Sequence, residues 1–221
     1  MSHLRKTILA GLITALALPV LAEEEDLDKL IPDAVEIFGR FKREDQINME
    51  LLKDAKGIVI LNYTGFSIGI GGTGGDGILM ARKEDGSWTG PCAITTDGGS
   101  IGIKVGGSDN DVVLLLMKAG VVNKWAKGGH FASAAASAVL GPKGADAVDA
   151  SMRDRDFNAY VWNKGAELGV SFGGFDVNIN DEANADYYDK PAISAEDIIG
   201  GKVVVPDGKK DTISRLYDLL K

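Results

Sequence analysis

Gly57-Ile58-Val59-Ile60-Leu61-Asn62-Tyr63 decides the fold class, because the period of the chain changes there. Before it, apolar residues recur every three or four positions. From it onward they run together or alternate, which is the habit of β-structure. The run continues through Phe66–Ile70 into a glycine cluster, Gly71-Gly72-Thr73-Gly74-Gly75. Gly77–Arg82, Trp88–Thr96 and Ser100–Val105 follow as further strand candidates. Asp97-Gly98-Gly99 carries the composition of a hairpin turn. Val112–Met117 fits a buried strand or the start of a helix, and an apolar run this short does not choose between them. Asn158–Val161, Glu167–Phe172 and Phe175–Ile179 form a second strand group. Strands follow strands without regular intervening helices. The class is therefore α+β, with a strongly curved, mainly antiparallel, barrel-like sheet packed with N-terminal and C-terminal helices.

Outward from this core, Asp26–Asn48 reads as an amphipathic helix, with Leu30, Ile31, Ala34, Ile37, Phe38 and Phe41 on one face. Pro32 suits a first turn, and Arg40, Lys42 and Arg43 suit the carboxyl end. Asn48–Ala55 reads as a shorter helix, Ala119–Lys127 as a helix, and Phe131–Leu140 as ambiguous. Ile193–Ile199 and Asp211–Leu220 are the closing helices. Residues 1–22 carry the marks of a secretory signal: Arg5 and Lys6, an uncharged run from Thr7 to Leu18, Pro19, then Val20-Leu21-Ala22. The run falls short of the about 20 apolar residues that span a bilayer. The expected organisation is a signal over 1–22, an amphipathic helical segment over 23–55 and one domain over 56–221, in a periplasmic or secreted protein.

The formal net charge is −8, and residues 1–22 contain two cations and no carboxylate, so the remainder is more acidic still. Nucleic-acid phosphates need a basic face, so that partner class is disfavoured. Cys92 is the single cysteine, which excludes an internal disulfide, and its strand-like setting suits a small buried side chain better than a reactive thiol. With 45% hydrophobic residues the chain can bury a full core.

Three motifs invite chemistry. Gly69–Gly74 matches a dinucleotide fingerprint, but Ile78-Leu79-Met80-Ala81-Arg82 is too short to be the helix whose N-terminus meets a pyrophosphate. Gly98-Gly99-Ser100-Ile101-Gly102 matches a nucleophile elbow, with Asp109 or Asp111 and then His130 in triad order. The elbow needs a helix after the serine, whereas Ile101, Ile103 and Val105 alternate as a strand. Asp176, Asn178 and Asn180 have calcium-loop spacing without the required Gly and Glu, so a strand with one polar face explains them. No catalytic residue, cofactor or metal is expected, and the chain reads as non-enzymatic, with a serine hydrolase using Ser100 as the best enzyme alternative and ranked below the binding readings.

The order of several segments resembles the SYLF domain family. The matching pieces are Asp54-Ala55-Lys56-Gly57-Ile58-Val59-Ile60, Gly75-Asp76-Gly77-Ile78-Leu79 and Trp88-Thr89-Gly90-Pro91. Ser100–Gly106, Asp111–Leu115, Gly141-Pro142-Lys143-Gly144, Lys164–Ser171 and Asn184–Tyr188 continue the series. Lys104 stands where the family has Gln, and Ala166-Glu167 replaces an apolar pair. The resemblance implies a non-enzymatic module that binds phosphoinositide or other anionic phospholipid, with the first helix contributing in some members. For an exported protein of a bacterial envelope, actin is an unexpected partner, and an envelope protein is the alternative to lipid.

Two clusters are the expected contacts. The apolar face of the first helix either packs on the protein's own sheet or lies on a membrane. In the second case Phe38, Phe41, Arg40, Lys42 and Arg43 touch lipid. Lys118, Lys124, Trp125 and Lys127 form a basic and aromatic group suited to lipid headgroups.

Overall fold

The computed structural model describes residues 25–131, 137–138, 150–163 and 175–221. The expected signal over 1–22, the strand expected at 167–172, most of 131–140 and the segments 141–144 and 164–171 lie outside the described residues.

Two strands of 25 residues dominate: β1 (Gly57–Ala81) and β2 (Cys92–Leu116). They pair antiparallel from Gly57↔Leu116 to Leu79↔Cys92, with one register break between Ile68 and Ile70. A straight strand of this length would run about 80 Å. Yet the ends of β1 meet, because the Arg82 N–H donates to the Lys56 carbonyl at 2.9 Å. The long hairpin is therefore folded over on itself. A Cβ on Gly75 would lie 2.2 Å from the Asn62 carbonyl oxygen, and one on Gly77 would lie 2.3 Å from that of Ile60. Only a hydrogen fits at these two positions. The limbs so apposed are aliphatic and buried at successive residues: Ile58–Leu61, Ile78–Met80 and Val112–Leu116. Burial of successive residues means both faces are covered, which is why these stretches read as continuous apolar runs.

The outer strands divide between the two ends of β2. β5 (Phe157–Asn163) pairs from Leu116↔Phe157 to Asn110↔Asn163, while β6 (Phe175–Ile179) pairs from Ile94↔Ile179 to Gly98↔Phe175. β3 (Gly129–Phe131) adds to β6, and β4 (Ser137–Ala138) joins β5 in the one parallel pair among the described residues. The sheet is mainly antiparallel and curled, and the class is α+β, as the sequence implies.

Helices cover it. α1 (Leu27–Arg43) starts where the Asp26 carboxylate accepts from the Lys29 N–H at 2.9 Å. It packs its apolar face on β1 and on α7 (Lys210–Leu219). α2 (Met49–Asp54) is capped by Asn48. α3 (Ala119–Lys127), α4 (Ala150–Asp154), α5 (Asp181–Tyr188) and α6 (Ala195–Ile199) complete the set. α5 is fastened by two side chains. Asn184 accepts from the Ala93 N–H at 2.7 Å and donates to the Ala93 carbonyl at 3.3 Å. Tyr188 donates to the Pro91 carbonyl at 2.8 Å.

Several local expectations are corrected. Asp97-Gly98-Gly99 is not a turn; it runs inside β2 opposite Gly74, Thr73 and Gly72. Side-chain-poor positions face one another there, so the pair can bend without ending. Val112–Met117 resolves as strand through Leu116, because β1 and β5 flank it. The first helix ends at Arg43 rather than near Asn48, and Asp45 adopts a left-handed φ of 53°. Pro32 is the sixth helical residue, not a first-turn residue.

A Gly77→Ala substitution is expected to lower stability by about 3 kcal/mol, since backbone cannot retreat from the new methyl. Gly120→Ala in α3, where a Cβ meets nothing within 4 Å, should instead raise it by about 0.5–1 kcal/mol. Urea unfolding midpoints of the two variants check this contrast.

Candidate functional site

The return of β1 to its own start builds one wall of a cavity of about 800 Å³. Arg82, at the end of β1, donates from Nε to the Ala55 carbonyl at 3.2 Å and from Nη2 to the Leu52 carbonyl at 3.0 Å. Its Nη1 donates to the Gly86 carbonyl at 2.8 Å. The guanidinium also lies over the Trp88 ring, 4.2 Å from its centre. Its charge is thus held by carbonyl dipoles and an aromatic face, and burial pulls its pKa below the ordinary arginine value. No carboxylate lies within ion-pair distance of Lys53, Arg82 or Lys83 among the described residues.

The connection between β1 and β2 shapes the next wall. Gly86 takes φ +82°, which closes a tight turn in which the Lys83 N–H meets the Ser87 carbonyl at 2.7 Å. The Asp85 carboxylate accepts from the Ser87 N–H at 2.9 Å and hydroxyl at 2.6 Å, and this holds its pKa low. Trp88 is 8% exposed, and its indole N–H has no acceptor among the described residues. The Thr89 hydroxyl accepts from the Ala81 N–H at 3.0 Å. A Cβ on Gly90 would strike the Tyr188 hydroxyl oxygen at 2.2 Å. Trp88, Thr89 and Gly90 of Trp88-Thr89-Gly90-Pro91 thus each have a structural reason. From the far side Tyr217 of α7 donates to the Thr89 carbonyl at 3.1 Å, and burial pushes its hydroxyl up to about 12.

The lining carries both charge and apolar surface. Lys53, Arg82, Lys83, Lys210 and Lys221 supply five cations, two of which are paired outside the cavity: Lys210 with Asp207 and Lys221 with Asp218. Trp88, Val205, Ile213, Tyr217 and Leu220 supply apolar surface. No side-chain carboxylate, histidine or cysteine lines the cavity among the described residues. In a chain of net charge −8 this is an anion-seeking pocket with an apolar floor. It offers no general base and no metal ligand set, and no cluster of three metal-binding side chains occurs among the described residues.

The residues expected to touch lipid lie elsewhere. Phe38 and Phe41 are 0% and 1% exposed, packed in the core rather than presented to a membrane. The bland alternative for this helix face is the one the structure adopts, because the apolar sheet beneath it needs a cover. Arg40 pairs with Asp111, which is fully buried, and with Glu36 at 2.9 Å. Lys42 donates to the Leu219 carbonyl at 2.8 Å, and Arg43 is exposed at the helix end. Lys118 pairs with Asp156 at 2.8 Å. The Lys124 ammonium sits 4.4 Å from the Phe131 ring centre, and Trp125 is buried with its ring 5.0 Å from that of Phe131. Lys127 lines a second cavity of about 720 Å³, where Asp181 and Glu196 offset its charge. Neither expected cluster converges on the basic cavity.

The catalytic alternatives lose their geometry. Ser100 lies within β2 opposite Gly71, with strand on both sides instead of a following helix. Gly69–Gly74 likewise lies within β1. His130 Nδ1 meets Asp176 Oδ1 at 3.1 Å, both exposed. Asp176 and Asn178 belong to the exposed face of β6, and Asn180 caps α5. Among the described residues no helix is long and apolar enough to cross a membrane.

Two measurements check these placements. Arg40→Ala should cost about 3–5 kcal/mol in urea unfolding, because it removes the cation paired with the fully buried Asp111; a helix end that merely faced solvent would lose almost nothing. Burial pushes the Cys92 thiol up to about 12, so at pH 8 almost no thiolate is present. Cys92 should resist a thiol reagent in the native protein and react once denaturant is added.

The family model described as "Ysc84: Las17-binding protein actin regulator" matches residues 97–221. The human protein "SH3 domain-containing YSC84-like protein 1" is 29% identical over 203 residues, covering 90% of this chain and 58% of that protein. Its Xenopus laevis counterpart is 26% identical over the same length. The Saccharomyces cerevisiae "Protein YSC84" is 30% identical over 171 residues, covering 75% of this chain and 36% of that protein. The chain therefore spans under six-tenths of the length of these curated relatives. No solved structure matches it. With the family match over more than half its length, and the SYLF-type segments lying in their expected order, the chain belongs to the Ysc84 family.

Proposed function

We propose that the chain is a non-enzymatic module that binds an anionic phospholipid, with the headgroup among Lys53, Arg82 and Lys83 and apolar parts against Trp88 and α7. The single observation that carries this is the cavity of about 800 Å³, which among the described residues is lined by five cationic side chains and no side-chain carboxylate in an acidic protein. Opposite charge and a partly dry floor select a ligand that is both anionic and amphiphilic. The strand setting of Ser100 and the absence of an acid–base set in the cavity support a binding role over hydrolysis. Residues 1–22 support a place in a bacterial envelope, and cleavage after Ala22 in fractionated cells tests that.

The family description favours a second reading, in which the module binds a protein partner of the actin-regulator kind. The comparisons give no support to the expectation that actin is excluded. Pelleting with actin filaments but not with lipid vesicles would select this reading.

Lipid extraction and mass spectrometry of the purified chain should find a bound anionic phospholipid. Vesicle sedimentation should be strong only when phosphatidylserine is present, and should fall with added salt. A Lys53→Glu/Lys83→Glu variant should bind such vesicles at least about tenfold more weakly, and equal pelleting of variant and wild type would overturn the proposal.

A further inference from the structure

Beside the cavity mouth, Val203-Val204-Val205 forms a loop between α6 and the turn at Asp207–Lys209. Val205 is buried and Val203 packs against the core, but Val204 is 75% exposed. Among the described residues it is the one large hydrophobic side chain so exposed. The loop is anchored at both ends. Gly201 takes φ +70°, the Lys202 N–H donates to the Asp197 carbonyl at 3.0 Å, and the Lys202 ammonium pairs with Asp197 at 2.8 Å. On the other side the Pro206 carbonyl accepts from the Lys209 N–H at 2.9 Å. An exposed valine on a tethered loop is a fixed apolar tip rather than a side chain that has failed to find the core.

Its surroundings say what covers it. A Cβ on Gly201 would touch the Lys83 side chain at 3.2 Å, so the Lys83 stem runs directly beside the loop. Lys53 and Lys83 have no carboxylate within ion-pair distance among the described residues, and Val204 and both lysines line the same cavity. An apolar protein partner would leave these cations unpaired. An anionic bilayer meets both needs at once, with headgroups for the lysines and the acyl boundary for the valine.

We infer that the Val204 loop is the edge by which the chain docks on an anionic lipid bilayer, so that the cavity opens onto the headgroup layer. This rests on the lipid-binding role proposed above and adds an orientation to it: the α7 side faces the membrane, and α1, whose apolar face is covered, does not. The lipid then reaches Arg82 and Trp88 without crossing bulk water.

The test uses the full chain and two probes. One is phosphatidylcholine vesicles containing phosphatidylserine. The other is a short-chain phosphatidylserine kept below its micelle concentration. Val204→Ser, which adds no charge, should weaken vesicle binding about threefold, and because Val204 also lines the cavity the soluble probe's affinity should change by less than that. Lys53→Glu/Lys83→Glu should weaken both. A fluorophore on Val204→Cys, with Cys92 buried and unlabelled, should shift to the blue on vesicles and be quenched from within the lipid. Unchanged vesicle binding by Val204→Ser, a fluorophore that never leaves water, or a blue shift caused by self-association without lipid would each overturn the inference. In those cases soluble-probe binding still reports on the cavity. A wild type that binds neither probe would remove the lipid-binding role itself, and the docking edge with it.

Discussion

Where Gly75 and Gly77 lie against Asn62 and Ile60, two stretches of one strand meet backbone to backbone. The limbs can approach so closely only because these positions lack side chains. That approach folds the β1–β2 hairpin over and brings the end of β1 back to its beginning. Arg82 then reaches the carbonyls of Leu52 and Ala55, and its backbone bonds to Lys56. One wall of the cavity exists because the strand returns. Gly75 and Gly77 are therefore structural: they shape a surface from residues far apart in sequence.

Electrostatics follow from the same closure. The buried charge under α1 is neutralised locally, since Arg40 answers Asp111, and that pair ties the helix to the sheet. At the cavity the opposite holds. Arg82 is satisfied by carbonyl oxygens, which accept its hydrogen bonds without cancelling its charge. A cation held this way, beside Lys53 and Lys83, keeps its field for a ligand. The net charge of the chain conceals this, because no side-chain carboxylate is among the described residues that line the cavity, although Asp207 and Asp218 pair with two of its lysines.

Much of the architecture was legible in the residues. The period change at Gly57, the apolar face of α1, the runs at Ile58–Leu61 and Val112–Leu116 and the helix over Ala119–Lys127 all appear as the patterns imply. Asp97-Gly98-Gly99 has the composition of a turn yet runs inside β2, paired with Gly74, Thr73 and Gly72. Local composition cannot separate the two settings; only the facing glycines across the pair do. Phe38 and Phe41 illustrate a different limit. An amphipathic face states that it must be covered, not by what, and the sheet claims it first. The cavity was least legible, since α2, the β1–β2 connection, the Val203–Val205 loop and α7 meet only after the hairpin folds over. Its one local trace was a valine run set among Lys202, Lys209 and Lys210, outside any helix or strand period.

The central claim is that strand closure creates an anion-binding cavity for an amphiphile. A crystal structure of the chain grown with a soluble short-chain phosphatidylserine tests it most directly. The account predicts a headgroup phosphate beside Arg82 and Lys83, with acyl carbons against Trp88 and Leu220. A lipid seated along α1 or at Lys124 and Lys127 with this cavity empty, or a β1 whose ends do not meet, would contradict it.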